Sequence, residues 1–128
     1  MTNAILVLLV EDEPMLLINA QDVLEDGGFE VIDATNGADA LRILDSDIER
    51  IVGLVTDVRL GAGASGWDVA RHARELKPSL PVVYMTAESG EDWAAQGVPK
   101  SVLVQKPYAP AQLLTAISTL LNEAGGSF

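Results

Sequence analysis

The stretch Ala4-Ile5-Leu6-Val7-Leu8-Leu9-Val10, followed at once by Glu11-Asp12-Glu13-Pro14, decides the fold. An unbroken apolar run of this length is what a central parallel strand needs, because both of its faces are buried and no polar alternation remains. Three acids then mark the point where the chain leaves the sheet. Pro14 opens a helix at the position where a missing N–H costs little. Leu16, Leu17, Ala20, Val23 and Leu24 give that helix one apolar face, and Gly27-Gly28 stops it.

The same unit recurs along the rest of the chain. Phe29 to Ala34 reads as a second strand, and Asn36 as the N-cap of a helix running to about Ser46. Ile51 to Thr56 is a third strand, ending at Asp57. After a loop rich in Gly and Ala, a helix spans about Trp67 to Lys77, and Pro78 closes it. Pro81 to Thr86 and Ser101 to Gln105 are strands; Glu88 to about Gln96 and Pro110 to Glu123 are the helices after them. Five strands, each followed by a helix, predict an α/β fold: a five-stranded parallel sheet, doubly wound, with helices on both faces and right-handed crossovers. In such a sheet ligands bind outside the carboxyl ends of the strands, where the strand order reverses. Neither a repeat nor a linker interrupts the 128 residues. The reading therefore expects one domain over 1–128, with a core of about 4–123, a short tail at 124–128 and no output domain.

Charge and composition narrow the function. Eight Lys plus Arg stand against 19 Asp plus Glu, a formal net charge of -11. The chain thus lacks the basic patch that nucleic acid or an anionic membrane surface calls for. No apolar run approaches a membrane span, and Met1-Thr2-Asn3 lacks the positive region of a secretory signal. The absence of cysteine excludes a disulfide framework and a thiolate metal site, and it fits a reducing cytoplasm. A cytoplasmic protein without nucleic-acid or membrane partners is expected.

Chemistry-bearing residues gather where the strands end. The first strand ends in Glu11-Asp12-Glu13, the third in Asp57, the fourth in Thr86, and the fifth is followed by Lys106-Pro107. A doubly wound sheet brings these ends to one edge. Carboxylates crowded there repel one another unless a cation sits among them. Charged oxygen ligands suit a hard ion such as Mg²⁺, which keeps several waters and needs only one or two carboxylates. A carboxylate beside such an ion can attack phosphorus, and a lysine and a hydroxyl nearby can bind the phosphoryl oxygens.

Leu9-Val10-Glu11-Asp12-Glu13-Pro14, Leu54-Val55-Thr56-Asp57, Met85-Thr86-Ala87 and Gln105-Lys106-Pro107-Tyr108 together resemble the receiver domain of bacterial two-component response regulators. The resemblance covers essentially the whole chain, and the four motifs stand in order, each at the end of a predicted strand. It implies the flavodoxin-like strand order 2-1-3-4-5. It also implies that Asp57 is the phosphoacceptor, that Asp12, Asp57 and the backbone carbonyl of Arg59 bind Mg²⁺, and that Glu11 holds metal waters. Thr86 would hydrogen-bond the phosphoryl group, Lys106 would pair with it, and the Lys106–Pro107 bond would be cis. The implied donor is a histidine kinase or a histidine phosphotransfer protein. An unknown downstream protein would be met through the face of helix four, strand five and helix five. Such a protein catalyses only its own phosphotransfer and dephosphorylation, and is otherwise not an enzyme.

Three places depart from the family pattern. The loop after Asp57, Arg59-Leu60-Gly61-Ala62-Gly63-Ala64-Ser65-Gly66, is one residue longer than usual and lacks its proline. Leu103 stands where an aromatic rotamer switch is common, with Tyr84 as a conceivable substitute. Arg59 and Glu88, of opposite charge, occupy the positions that flank the phosphoryl group and tune its hydrolysis.

Rival readings are weaker. Gly61, Gly63 and Gly66 match G-x-G-x-x-G, with Glu88 about 20 residues further on, but the neighbouring acids repel a pyrophosphate. A haloacid-dehalogenase-type phosphatase needs an acid where Arg59 stands, and a flavin-binding protein needs a phosphate loop where Glu11-Asp12-Glu13 stands. A receiver fold acting as a phosphate-independent interaction module is the remaining alternative, although an idle site has no reason to keep mutually repelling carboxylates. His72, the single histidine, reads as a solvated surface residue, and Trp67 and Trp93 as packing residues.

Overall fold

The computed structural model describes residues 5–88 and 90–124. In β1 (Leu6–Val10) the unbroken apolar run serves two cores. Leu6, Leu8 and Val10 belong to one, and Val7 and Leu9 to the other. The remaining elements alternate: α1 (Pro14–Asp26), β2 (Glu30–Ala34), α2 (Gly37–Asp47), β3 (Ile51–Asp57), α3 (Gly66–Leu76), β4 (Val82–Thr86), α4 (Glu91–Gln96), β5 (Val102–Gln105) and α5 (Pro110–Ala124). The sheet order is β2-β1-β3-β4-β5, and every neighbouring pair is parallel. Fold class and strand order are therefore as expected.

The helices divide between the two faces. Ala40 and Leu44 of α2 and Val69, Ala70 and Ala73 of α3 pack into one core, against which Trp93 of α4 also rests. Leu17, Ala20, Val23 and Leu24 of α1 join Leu113, Ala116, Ile117 and Leu120 of α5 in the other. Helix starts follow local chemistry. Asn36 Oδ1 accepts the Asp39 N–H at 2.8 Å. In α3, Ser65 and Asp68 cap each other's backbone N–H groups in a capping box.

The boundaries differ in a few places. Helix α4 begins at Glu91 rather than Glu88, with Gly90 at its N-cap and no side-chain cap, while the Glu88 N–H donates to the Thr86 hydroxyl at 3.1 Å in the turn before it. Strand β5 begins at Val102, since the Ser101 hydroxyl turns back to donate to the Val98 carbonyl at 2.6 Å. Of the expected tail, Ala124 belongs to α5, and 125–128 lie outside the described residues, as does Ala4.

Register sets the working edge. Val10 pairs with Thr56, Asp57 with Met85, and Thr86 with Gln105, so Glu11, Asp57, Thr86 and Lys106 emerge together. Gly66, at the start of α3, lies directly against the Asp57 carbonyl, and a Cβ there would collide with that backbone. The Gly66 N–H donates to Val58 O at 2.8 Å. Gly66→Ala is expected to force α3 away from Asp57 and to cost about 3 kcal/mol, the upper end for overpacking. Urea unfolding checks this, and an unchanged midpoint would show that the helix start can retreat freely.

Candidate functional site

Glu11 is held by its own strand end: its N–H donates to Ala34 O at 3.1 Å, and its side chain is only 1% exposed. One carboxylate oxygen accepts from the Glu13 N–H at 3.2 Å and the other from Lys106 Nζ at 2.6 Å. Lys106 also reaches Asp57 Oδ2 at 3.0 Å. The Lys106 N–H donates to Thr86 O at 2.7 Å, and the Lys106–Pro107 bond is cis, the isomer expected. Asp57 closes the triangle, with the Arg59 N–H donating to its Oδ1 at 3.4 Å.

Asp12 is exposed at the rim, and Glu11, Asp12 and Asp57 each bring a carboxylate oxygen within 4.8 Å of the others. Three carboxylates against one ammonium leave two negative charges, the deficit a divalent cation would balance. The donor set is all oxygen and partly open to water, and it fits a hard cation such as Mg²⁺. Electrostatics show the strain of crowding. Burial, with the charge of Asp57 acting in the same direction, raises the Glu11 carboxyl to about 6 in spite of Lys106. Burial alone would lower Lys106, but its hydrogen bonds to Glu11 and Asp57 outweigh this and hold it above the ordinary lysine range. Lys106 is therefore a fixed cation at neutral pH.

Thr86 is buried at the same edge, its hydroxyl accepting from Glu88. Arg59 crosses to Glu88 with an N–O distance of 2.7 Å, both side chains largely exposed. The loop between Asp57 and α3 turns through Gly61 (φ 76°) and Gly63 (φ 92°), conformations that favour glycine, and a Cβ at Gly61 would stand 3.9 Å from Asp12 Oδ2. Ala64, further along, rests on Gly37 at the start of α2. The G-x-G-x-x-G pattern is thus a turn beside a carboxylate, a poor place for a pyrophosphate.

A family model for the response regulator receiver domain matches residues 7–118. The chain belongs to this family. A crystal structure of a response regulator receiver protein from Sinorhizobium medicae is 43% identical, with a TM-score of 0.91 over 94% of this chain and 97% of that one. A receiver domain protein from Clostridium thermocellum is 26% identical, with a TM-score of 0.84 over the same shares. Among curated proteins, the uncharacterized transcriptional regulatory protein YbdJ of Bacillus subtilis is 30% identical over 124 residues, covering 95% of this chain and 53% of YbdJ. The chain spans about half the length of the curated relatives it matches. The acidic cluster of this receiver domain is consistent with the phosphoacceptor and Mg²⁺ site of response regulators. A receiver domain transfers a phosphoryl group to itself and releases it, rather than acting on an external substrate.

Other expectations met different fates. Tyr84 is fully buried, its hydroxyl accepts from the Val98 N–H at 3.1 Å, and Trp67 packs on its ring at 4.6 Å. His72 is less free than expected, because Nε2 lies 2.6 Å from Asp45 and so links α3 to α2. Gly66 and Gly37, which let α3 and the long loop close on the site, carried no signal in the hydrophobic pattern. Their role depends on what lies across from them. Among the described residues, no helix is long and apolar enough to cross a membrane.

Proposed function

We propose that this receiver domain takes a phosphoryl group onto Asp57 from a histidine kinase or a histidine phosphotransfer protein, and signals by protein contact or by passing the group onward. The observation that carries the reading is the meeting of Glu11, Asp12, Asp57 and Lys106 at one sheet edge. An Asp57 carboxylate oxygen would bond to phosphorus as the donor's P–N bond breaks, the leaving imidazole taking up a proton. Lys106, already 3.0 Å from Oδ2, would neutralise a phosphoryl oxygen, and the Thr86 hydroxyl would donate to another. Asp12, Asp57 and the Arg59 carbonyl would hold Mg²⁺, with Glu11 orienting its waters; the ion supplies charge neutralisation for the incoming group. Departure of the signal through the α4, β5 and α5 face, and residence in the cytoplasm, belong to the same proposal.

Intact mass after incubation with acetyl phosphate, with and without Mg²⁺, tests it. A gain of one phosphoryl group that requires Mg²⁺ is expected. No gain under any condition would instead favour a module that works without phosphate.

The Arg59–Glu88 pair bears on phosphoryl lifetime. An exposed pair adds little to stability, so its effect should be local. Arg59 follows Asp57 by two residues and Glu88 follows Thr86 by two, and their pairing would hinder an attacking water. Arg59→Ala is expected to speed dephosphorylation several-fold while leaving the unfolding midpoint unchanged. Equal or slower loss of the phosphoryl group in the variant would remove the shielding role.

A further inference from the structure

Thr56 is fully buried at a place in β3 that asks for an apolar side chain. It alternates with Leu54, and its register partners Val10 and Tyr84 belong with Leu54 to the core shared by α2 and α3. Valine has the same branched shape and would fill this place with no polar group to satisfy. The hydroxyl found there instead makes one hydrogen bond among the described residues, donating to Asp57 O at 2.9 Å. That bond completes the hold on the peptide that follows Asp57. β1 pairs with β3 only as far as Val10 and Thr56, and the Glu11 N–H turns away to Ala34 O, so the Asp57 carbonyl stands past the end of that ladder. On the other side of the same peptide, the Val58 N–H donates to Met85 O at 3.0 Å. Both polar groups of one peptide unit are thereby fixed.

We infer, on the phosphoacceptor reading above, that Thr56 is a positioning residue: its hydroxyl fixes the Asp57 carbonyl, and so aims the Asp57 carboxylate and the chain that continues to Arg59. One carboxylate oxygen then meets Lys106 Nζ at 3.0 Å and the other the Arg59 N–H at 3.4 Å. The second of these is already long for a hydrogen bond, so a small turn of the peptide breaks it. Without the hydroxyl, a carbonyl pressed against Gly66 has lost its donor, and the peptide turns to find another. The carboxylate then spends less time in the attacking orientation, and the Arg59 carbonyl is less well set toward Mg²⁺. Serine keeps the donor but not the buried methyl group; valine keeps the methyl groups but not the donor. Position and packing are therefore separable at this one residue.

Thr56→Val and Thr56→Ser, made in the full chain, are compared with the parent in three measurements. These are the rate of mass gain from acetyl phosphate with Mg²⁺, the urea midpoint without metal, and the Mg²⁺ dissociation constant from thermal melts. Thr56→Val should keep a midpoint close to the parent's and yet gain mass about tenfold more slowly, the loss expected of a reacting group that is no longer held in line. Thr56→Ser should unfold at lower urea and yet gain mass within a factor of about two of the parent, because orientation is retained. Mg²⁺ should bind more weakly to Thr56→Val and unchanged to Thr56→Ser. Uptake that follows stability in both variants, or a parental rate in Thr56→Val, overturns the positioning role. If the parent itself gains no mass, the phosphoacceptor reading fails and the Mg²⁺ titration decides. Weakened binding in Thr56→Val alone then supports the hold on Asp57, and equal binding in all three proteins, or none, overturns it.

Discussion

Asp57→Asn is expected to abolish uptake of a phosphoryl group from acetyl phosphate while leaving the fold intact. An amide oxygen carries no charge and is a poor nucleophile, so the step that forms the acyl phosphate has no substitute route on this side chain. Neighbouring acids do not rescue it. Glu11 is buried and committed to Lys106 and the Glu13 N–H, and Asp12 lies at the exposed rim. Stability should hold or rise slightly, because one of three mutually repelling carboxylates loses its charge while Lys106 keeps Glu11. Intact mass and a thermal melt on the same preparation check both halves. A phosphoryl group found on the variant, with its site mapped elsewhere, would move the chemistry off Asp57.

Lys106→Met should damage stability and chemistry together. The lysine bridges a carboxylate that is 1% exposed and another that is 13% exposed. Removing one partner of a buried ion pair leaves an uncompensated charge and costs about 3 kcal/mol or somewhat more. The cost should depend on pH. Burial already raises Glu11 to about 6, above the ordinary glutamate value, and its hydrogen bond to Lys106 is among the factors that lower it. Without the lysine, the folded-state value rises further. A raised carboxyl contributes stability that is complete below the unfolded-state value and is lost as pH rises through the folded-state value. The deficit of the variant relative to the parent should therefore be small near pH 5 and grow toward pH 8. Urea midpoints of both proteins in metal-free buffer at several pH values read this directly, and a deficit independent of pH would mean that Glu11 is not the group left unpaired. Phosphoryl uptake at neutral pH should fall roughly a hundredfold, the loss typical when one positioned charge partner of a transferring group is removed.

Much of this architecture is legible along the chain because its determinants are short-range. The two-sided burial of β1 shows in an unbroken apolar run, the start of α2 in Asn36, and the end of α3 in Pro78. The candidate site is legible for a related reason. In a parallel sheet every strand runs the same way, so the residues at or just after the strand ends must arrive at the same edge, and Glu11, Asp57, Thr86 and Lys106 can be placed together from the order of elements alone.

What the chain alone left open depends on contacts between distant segments. The Lys106 bridge joins residues 95 positions apart, and no periodicity says that one ammonium will reach both Glu11 and Asp57. His72 meets Asp45 only because α2 and α3 pack side by side. Local sequence thus determined the elements, their order and the edge on which the acids gather. Packing decided which cation holds them, how closely Gly66 lets α3 approach Asp57, and that Trp93 ties α4 to the core, since each of these depends on which distant groups share one space.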